Sequence, residues 1–320
     1  MSQKPHKIDI HHHIHPKYYL DAVYRAGIAD AGGVAFSDWS PEEQLATMDR
    51  CGIAVAMSSV AAPGAYFGDK AAARSLARRL NETLAELKRD YPTRFGALAT
   101  LTLPDVDGSL AELEYAYDTL GVDGVSLLTS VEGRYLGDPA FDALLAELNR
   151  RQAVIHVHPN VPESSKVLKL DLPESLVEFV FDTTRMVANL ILSGTLERYP
   201  DLRFILSHAG GTVPFVAGRL ALFKQLPEFA AKAPQEAITY LRRFYYDTAL
   251  ATAPTALVSL TALVDPSRIL YGSDTPFLPE PFVGPAAKEL ASFPGFDPAA
   301  LQAIERDNAL ALFPRLKDLV

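Results

Sequence analysis

From residue 7 to residue 272, short apolar, β-branched runs alternate with longer stretches of helical pattern, and that alternation confines the chain to a parallel sheet. Candidate strands span 7–13, 54–60, 95–101, 124–128, 153–158, 203–207, 244–248 and 269–272, and helical patterns span 69–89, 109–120, 138–151, 176–198, 212–223 and 255–264. Start and stop signals support the pattern. Ser40-Pro41-Glu42-Glu43 offers an N-cap, a proline at the first helical position and acids in the first turn, while Gly52 and Gly121 stand where helices end. About eight βα units in series predict an α/β fold, a closed (β/α)8 TIM barrel with insertions and C-terminal helices. Residues 1–320 are expected to form one such domain. A doubly wound open sheet is the competing fold, but it would carry a glycine-rich phosphate loop after the first strand. Here the first strand ends in histidines.

Composition narrows the partners. The 320 residues are 48% hydrophobic and 22% charged, as in an ordinary globular protein. A net charge of −9 argues against a nucleic-acid surface, which needs clustered lysine and arginine. No apolar run approaches the roughly 20 residues of a membrane span, and no N-terminal apolar signal is seen, so no membrane partner and a cytoplasmic location are expected. Cys51 is the sole cysteine, which excludes an intrachain disulfide and fits a structural thiol.

The chemistry concentrates in Asp9-Ile10-His11-His12-His13-Ile14-His15. Alternate strand residues share a face, so His11 and His13 project together and form half of a metal site. Ile14 interrupts the run and an apolar strand precedes it, unlike an affinity tag. Three later segments are able to complete the site: Val157-His158-Pro159, Ser207-His208-Ala209-Gly210-Gly211 and Gly272-Ser273-Asp274-Thr275-Pro276. Each lies at the C-terminal end of a predicted strand, and a barrel gathers those ends at one mouth. His156 shares a strand face with His158 and reads as supporting. Asp9, on the His11 face and deeper, reads as a buried capping carboxylate. Asp247, at the end of the seventh strand, reads as support behind the site.

These segments, in this order and over nearly the whole chain, resemble the amidohydrolase superfamily, and within it the metal-dependent decarboxylases of aminocarboxymuconate semialdehyde, γ-resorcylate and 6-methylsalicylate. Ala62-Pro63-Gly64, Gly133-Arg134-Tyr135-Leu136-Gly137-Asp138-Pro139 and Phe181-Asp182-Thr183-Thr184-Arg185 look most like the 6-methylsalicylate type. The resemblance implies that His11, His13, His158 and Asp274 bind the metal and that His208 is the acid–base residue; on chemical grounds either His208 or a transiently protonated Asp274 is able to donate the proton. It implies that Arg219 reaches a neighbouring subunit's site, hence a homodimer or higher homo-oligomer. Arg185, in an amphipathic helix, reads either as an ordinary ion pair or as a substrate contact. The muconate enzyme's arginine ahead of its Met-Asp pair has no counterpart in residues 41–49, which speaks against that substrate.

Three imidazoles and one carboxylate suit one divalent ion, Zn²⁺ first and Mn²⁺ as the alternative. The fourth and fifth strands offer no candidate for a bridging carboxylated lysine, so a single metal is expected. The expected activity is non-oxidative decarboxylation of a small aromatic, salicylate-type acid. Its alternative is a metal-dependent hydrolase of the same superfamily, acting on a lactone, an amide or a C–C bond. A binding protein that kept the barrel and lost catalysis is disfavoured, because every matched position is filled.

Overall fold

The alternation becomes one eight-stranded sheet in the computed structural model, which describes residues 5–167 and 170–319. The strands are β1 (Lys7–His13), β2 (Ile53–Ser59), β3 (Phe95–Thr100), β4 (Gly124–Leu128), β5 (Val154–His158), β6 (Arg203–Leu206), β7 (Tyr245–Asp247) and β8 (Ile269–Leu270). Each pairs in parallel with the next. The ring closes where β8 runs on beside β1: Ile10 N–H donates to Tyr271 O at 3.0 Å, Asp274 N–H to His11 O at 2.9 Å and His13 N–H to Thr275 O at 2.8 Å. The result is a nearly closed (β/α)8 barrel.

One helix covers each strand: α1 (Pro41–Cys51), α2 (Lys70–Asp90), α3 (Val106–Asp118), α4 (Asp142–Arg150), α5 (Glu174–Leu192), α6 (Val213–Leu220), α7 (Pro254–Leu263) and α8 (Glu280–Ala291). The sequence specifies them locally. Ser40 Oγ accepts the Glu43 N–H at the start of α1, and Asp69 accepts from Ala71 and Ala72 at the start of α2. Along α2, Ala73, Ala77, Leu80, Leu84 and Leu87 recur at helical spacing and are buried against the sheet. Truncating one such leucine to alanine costs roughly 2–5 kcal/mol.

Two helices differ from expectation. The pattern over 176–198 is broken: α5 stops at Leu192 and a short turn, Thr195–Arg198, follows. Gly194 sits between them at φ 75°, and a Cβ there would lie 2.8 Å from Lys232 O, so the backbone leaves the helical path at a residue only glycine fills. The pattern over 138–151 begins instead as a tight turn, Pro139–Phe141, capped by Asp138, before α4.

The C-terminal segment closes the end of the barrel away from the histidines. Arg315 reaches Asp123 at 2.8 Å and Phe95 O at 3.3 Å, both at the starts of strands. Leu312, Phe313 and Leu316 pack there with Ile8, Ile10, Val55 and Leu98. The opposite mouth is left for chemistry.

Candidate metal centre

The site begins with an irregularity in β1. Its register against β2 slips between Asp9 and His12, which places Asp9 beside His12 rather than on the His11 face. Buried Asp9 accepts the His11 N–H at 3.1 Å, the Ser273 N–H at 2.9 Å and His12 Nδ1–H at 2.8 Å, with Ser273 Oγ as a further donor. It therefore bolts the histidine strand to the segment that carries Asp274. The capping role fits; the face differs because the slip breaks the two-residue alternation.

Each site histidine has one ring nitrogen committed elsewhere. His11 Nδ1–H donates to Asp247 Oδ2 at 2.8 Å, and His158 Nδ1–H donates to Pro159 O at 2.7 Å. His13 Nδ1 lies 3.0 Å from Ser59 Oγ, whose own hydrogen is directed to His12 O at 3.4 Å, so the serine oxygen accepts. The Nε2 lone pairs are left facing inward. Nε2 of His11 and of His13 each stands 3.2 Å from Asp274 Oδ1, and all three atoms are buried without a hydrogen-bond partner. Ligand atoms of His11, His13, His158 and Asp274 lie within 4.8 Å of one another, a grouping able to hold a metal ion.

Two unprotonated imidazole nitrogens and a carboxylate oxygen at such distances repel unless a cation or proton lies between them. Ligands about 2.0–2.2 Å from a common ion stand roughly 3 Å apart, so the observed separations fit one ion.

Electrostatics agree. Burial disfavours the charged imidazolium of His11, but Asp247 and Asp274 outweigh it and raise the group to about 10. Burial lowers His13 to about 3 and, with the neighbouring histidines, lowers His158 well below its ordinary value. Burial works against the charged form of Asp274, yet the adjacent histidines hold its carboxyl far below the usual range.

His208 follows β6, and its Nε2 lies 3.4 Å from Asp274 Oδ2 while its buried Nδ1 has no partner. The chain turns sharply to present it. His208 at φ 54°, Ala209 at φ 55° and Asp274 at φ 62° occupy left-handed backbone, a strain of about 1–3 kcal/mol each that clusters at functional sites. Gly211, at φ 65°, lies so close to α5 that a Cβ would meet Val180 O at 2.1 Å. Asp247 Oδ1 accepts the His208 N–H at 2.9 Å, and His156 Nε2 stands 3.3 Å from Oδ2.

His158, His208 and Asp274 form the floor of a cavity of about 780 Å³. Its walls are mainly apolar, with Ala31, Val34, Phe179, Phe277 and Leu278 among them, and no arginine or lysine is among the described lining residues. Phe277 packs edge-on to His13 and His15.

Arg185 does not reach this cavity, and Arg219, expected to serve a neighbouring subunit's site, does not line the cavity of its own chain. Arg185, on α5, turns toward Glu178 at 3.7 Å and Ser164 at 3.5 Å. Arg219 is exposed on α6. Ser59 was not marked by the sequence; it is an ordinary strand-end serine until β2 lies beside β1.

A barrel whose C-terminal mouth gathers histidines and a carboxylate able to hold a metal ion defines a metal-binding (β/α)8 protein. The chain belongs to the amidohydrolase family, whose profile matches residues 8–315. It is 34% identical to 6-methylsalicylic acid decarboxylase of Penicillium expansum over 319 residues, covering 98% of each chain. A crystal structure described as an amidohydrolase II superposes with a TM-score of 0.90 at 31% identity, covering 96% of this chain and 99% of the other. The fold is shared with 5-carboxyvanillate decarboxylase of Novosphingobium aromaticivorans, solved with manganese and 4-hydroxy-3-methoxy-5-nitrobenzoic acid: TM-score 0.86, 22% identity, coverage 98% and 99%.

Proposed function

We propose that this chain is a metal-dependent, non-oxidative decarboxylase of a small salicylate-type aromatic acid, with 6-methylsalicylate the first candidate. One observation carries the reading: an apolar cavity without arginine or lysine among its described lining ends on the cluster of His11, His13, His158 and Asp274. Within one chain, an acid entering it meets a countercharge only at that floor. The similarity to a 6-methylsalicylic acid decarboxylase over almost the full chain supports the same assignment.

The four residues would hold one divalent ion, zinc by its three imidazole donors and manganese as the alternative. Bound there, the ion supplies positive charge that orients and polarises the acid's oxygens. The chain's own residues account for the rest. His208 lies on the cavity floor with Nε2 toward Asp274, placed to hold a proton and deliver it to the ring carbon bearing the carboxylate. That carbon becomes tetrahedral. The bond to the carboxylate then breaks, its electron pair restores the aromatic ring, and CO₂ leaves. Asp274 Oδ2 steadies the His208 imidazole before and after transfer, while Phe179 and Phe277 hold the ring and exclude water.

The proposal includes one barrel domain over 1–320, a homodimer on the resemblance at Arg219, and a cytoplasmic location. No described helix is long and apolar enough to cross a membrane. The test offers salicylate, 6-methylsalicylate, a resorcylate and a simple lactone to metal-loaded protein and measures CO₂. Release from 6-methylsalicylate is expected; lactone hydrolysis without CO₂ would move the chain to the hydrolases.

A further inference from the structure

Gln44 is a polar residue on the inner face of α1. The helix starts at a fixed place, because Ser40 caps it and Pro41 opens it, and its buried side chains are Gln44 and Met48, four residues apart. Gln44 Nε2 donates to His13 O at 3.0 Å, and Gln44 Oε1 accepts the indole N–H of Trp39 at 2.8 Å. An indole nitrogen only donates, so the atom beside it is the amide oxygen, and the amide N–H₂ is turned to His13. Trp39 thereby orients the Gln44 amide, and the amide holds the backbone of His13. The His13 ring is held from another side, its Nδ1 lying 3.0 Å from Ser59 Oγ. Backbone and ring are fixed by different neighbours, with Nε2 left toward Asp274 Oδ1.

Trp39 ends the segment between β1 and α1, and that segment also walls the cavity through Ala31 and Val34. Its Phe36 packs edge-on to His15, with ring centroids 5.5 Å apart, and tilts against Phe277 at 6.1 Å. Gln44 joins this segment to the metal strand by hydrogen bonds. It is 4% exposed within a single chain, so the link holds whatever covers the mouth.

We infer that Gln44 is a positioning residue for the metal ligand His13, and that it couples occupancy of the metal centre to Trp39. The inference rests on the metal-centre reading and extends it to a side chain that touches neither ion nor substrate. An ion drawing on His13 Nε2 pulls against a backbone that Gln44 keeps in place. Without a donor at that point the His13 backbone drifts, and a ligand off its position binds the ion more weakly.

The experiment titrates metal-free wild type, Gln44→Met and Gln44→Glu with Zn²⁺, reading affinity by calorimetry and the emission of Trp39, the sole tryptophan. Gln44→Met keeps the length and removes both donor and acceptor. Gln44→Glu keeps the acceptor for Trp39 and sets a carboxylate oxygen against His13 O. Affinity is expected to fall roughly tenfold in Gln44→Met and further in Gln44→Glu, within the roughly 10–100-fold effect of groups behind metal ligands. Zinc is expected to shift Trp39 emission in wild type and to leave it unmoved in Gln44→Met. If Gln44 only packs α1, Gln44→Met lowers the urea midpoint while affinity stays within about twofold of wild type, and that result overturns the inference. So does wild-type emission that zinc does not alter, a measurement that stands even if both variants fail to fold. Zinc that does not bind wild type at all overturns the metal centre itself, which is a different failure.

Discussion

Asp247 Oδ2 accepts the Nδ1–H of His11 at 2.8 Å, with both side chains fully buried. That bond decides which face of the imidazole carries the lone pair. Asp247→Asn can place an amide N–H toward Nδ1, which moves the ring proton to Nε2 and closes the lone pair to an ion. Metal affinity is expected to fall roughly 10–100-fold, the usual effect of losing a carboxylate behind a ligating histidine. Calorimetric titration of metal-free protein with Zn²⁺ or Mn²⁺ measures it. Undiminished affinity would show that Asp247 only fills space.

Loading the site should expel a proton. Burial opposes charge on His11, but Asp247 and Asp274 raise it to about 10, whereas burial lowers His13 to about 3. At neutral pH the metal-free cluster thus keeps one imidazolium, on His11, and an arriving cation must displace that proton. With a raised free-state value and a deprotonated bound state, affinity rises with pH up to about 10, approaching tenfold per unit. Titrations in two buffers of different ionisation heat should report about one proton released per ion. A pH-independent affinity would contradict the arrangement.

His208 lies on the cavity floor outside the four-residue ligand group, with only a 3.4 Å approach to Asp274. His208→Ala should therefore leave metal content per subunit unchanged. Turnover should fall by roughly 10²–10⁴-fold, the contribution of a positioned acid. A variant that keeps wild-type turnover, or one that loses its metal, assigns His208 a different task.

Much of this was legible because the informative residues sit at strand ends. Period-two patterning put His11 and His13 on one face, and alternation with helices brought His158, His208 and Asp274 to the same mouth. What escaped depends on tertiary neighbours. The slip in β1 that turns Asp9 toward His12 leaves no mark in composition or spacing. Ser59 becomes a partner of His13 only when two strands 46 residues apart lie side by side. Arg185 carried charge suited to a carboxylate, but it turns to Glu178 at 3.7 Å, and the sequence pattern of an amphipathic helix does not say which polar residue meets a mouth.

Asp182 is a second buried carboxylate whose removal should be felt at the metal site. It accepts from Thr129 Oγ, from Ser130 Oγ at 3.3 Å and from the Asn160 N–H at 3.2 Å, while the Thr129 N–H donates to His158 O at 2.9 Å. The chain on either side of His158 is thus clamped to α5 through one side chain. Burial raises the Asp182 carboxyl, and its hydroxyl and amide donors only partly oppose that. With the folded value raised, its contribution to stability is fully present below the unfolded value near 3.9 and is lost as pH rises through the folded one. Asp182→Asn keeps the volume but forces an N–H among these donors, at a cost of about 1–3 kcal/mol. The variant's deficit in urea midpoint should narrow as pH rises, because the wild-type contribution shrinks. Its metal affinity should drop at every pH, because His158 is no longer held in place. A stability loss with unaltered metal affinity would confine Asp182 to holding the loop and release His158 from its control.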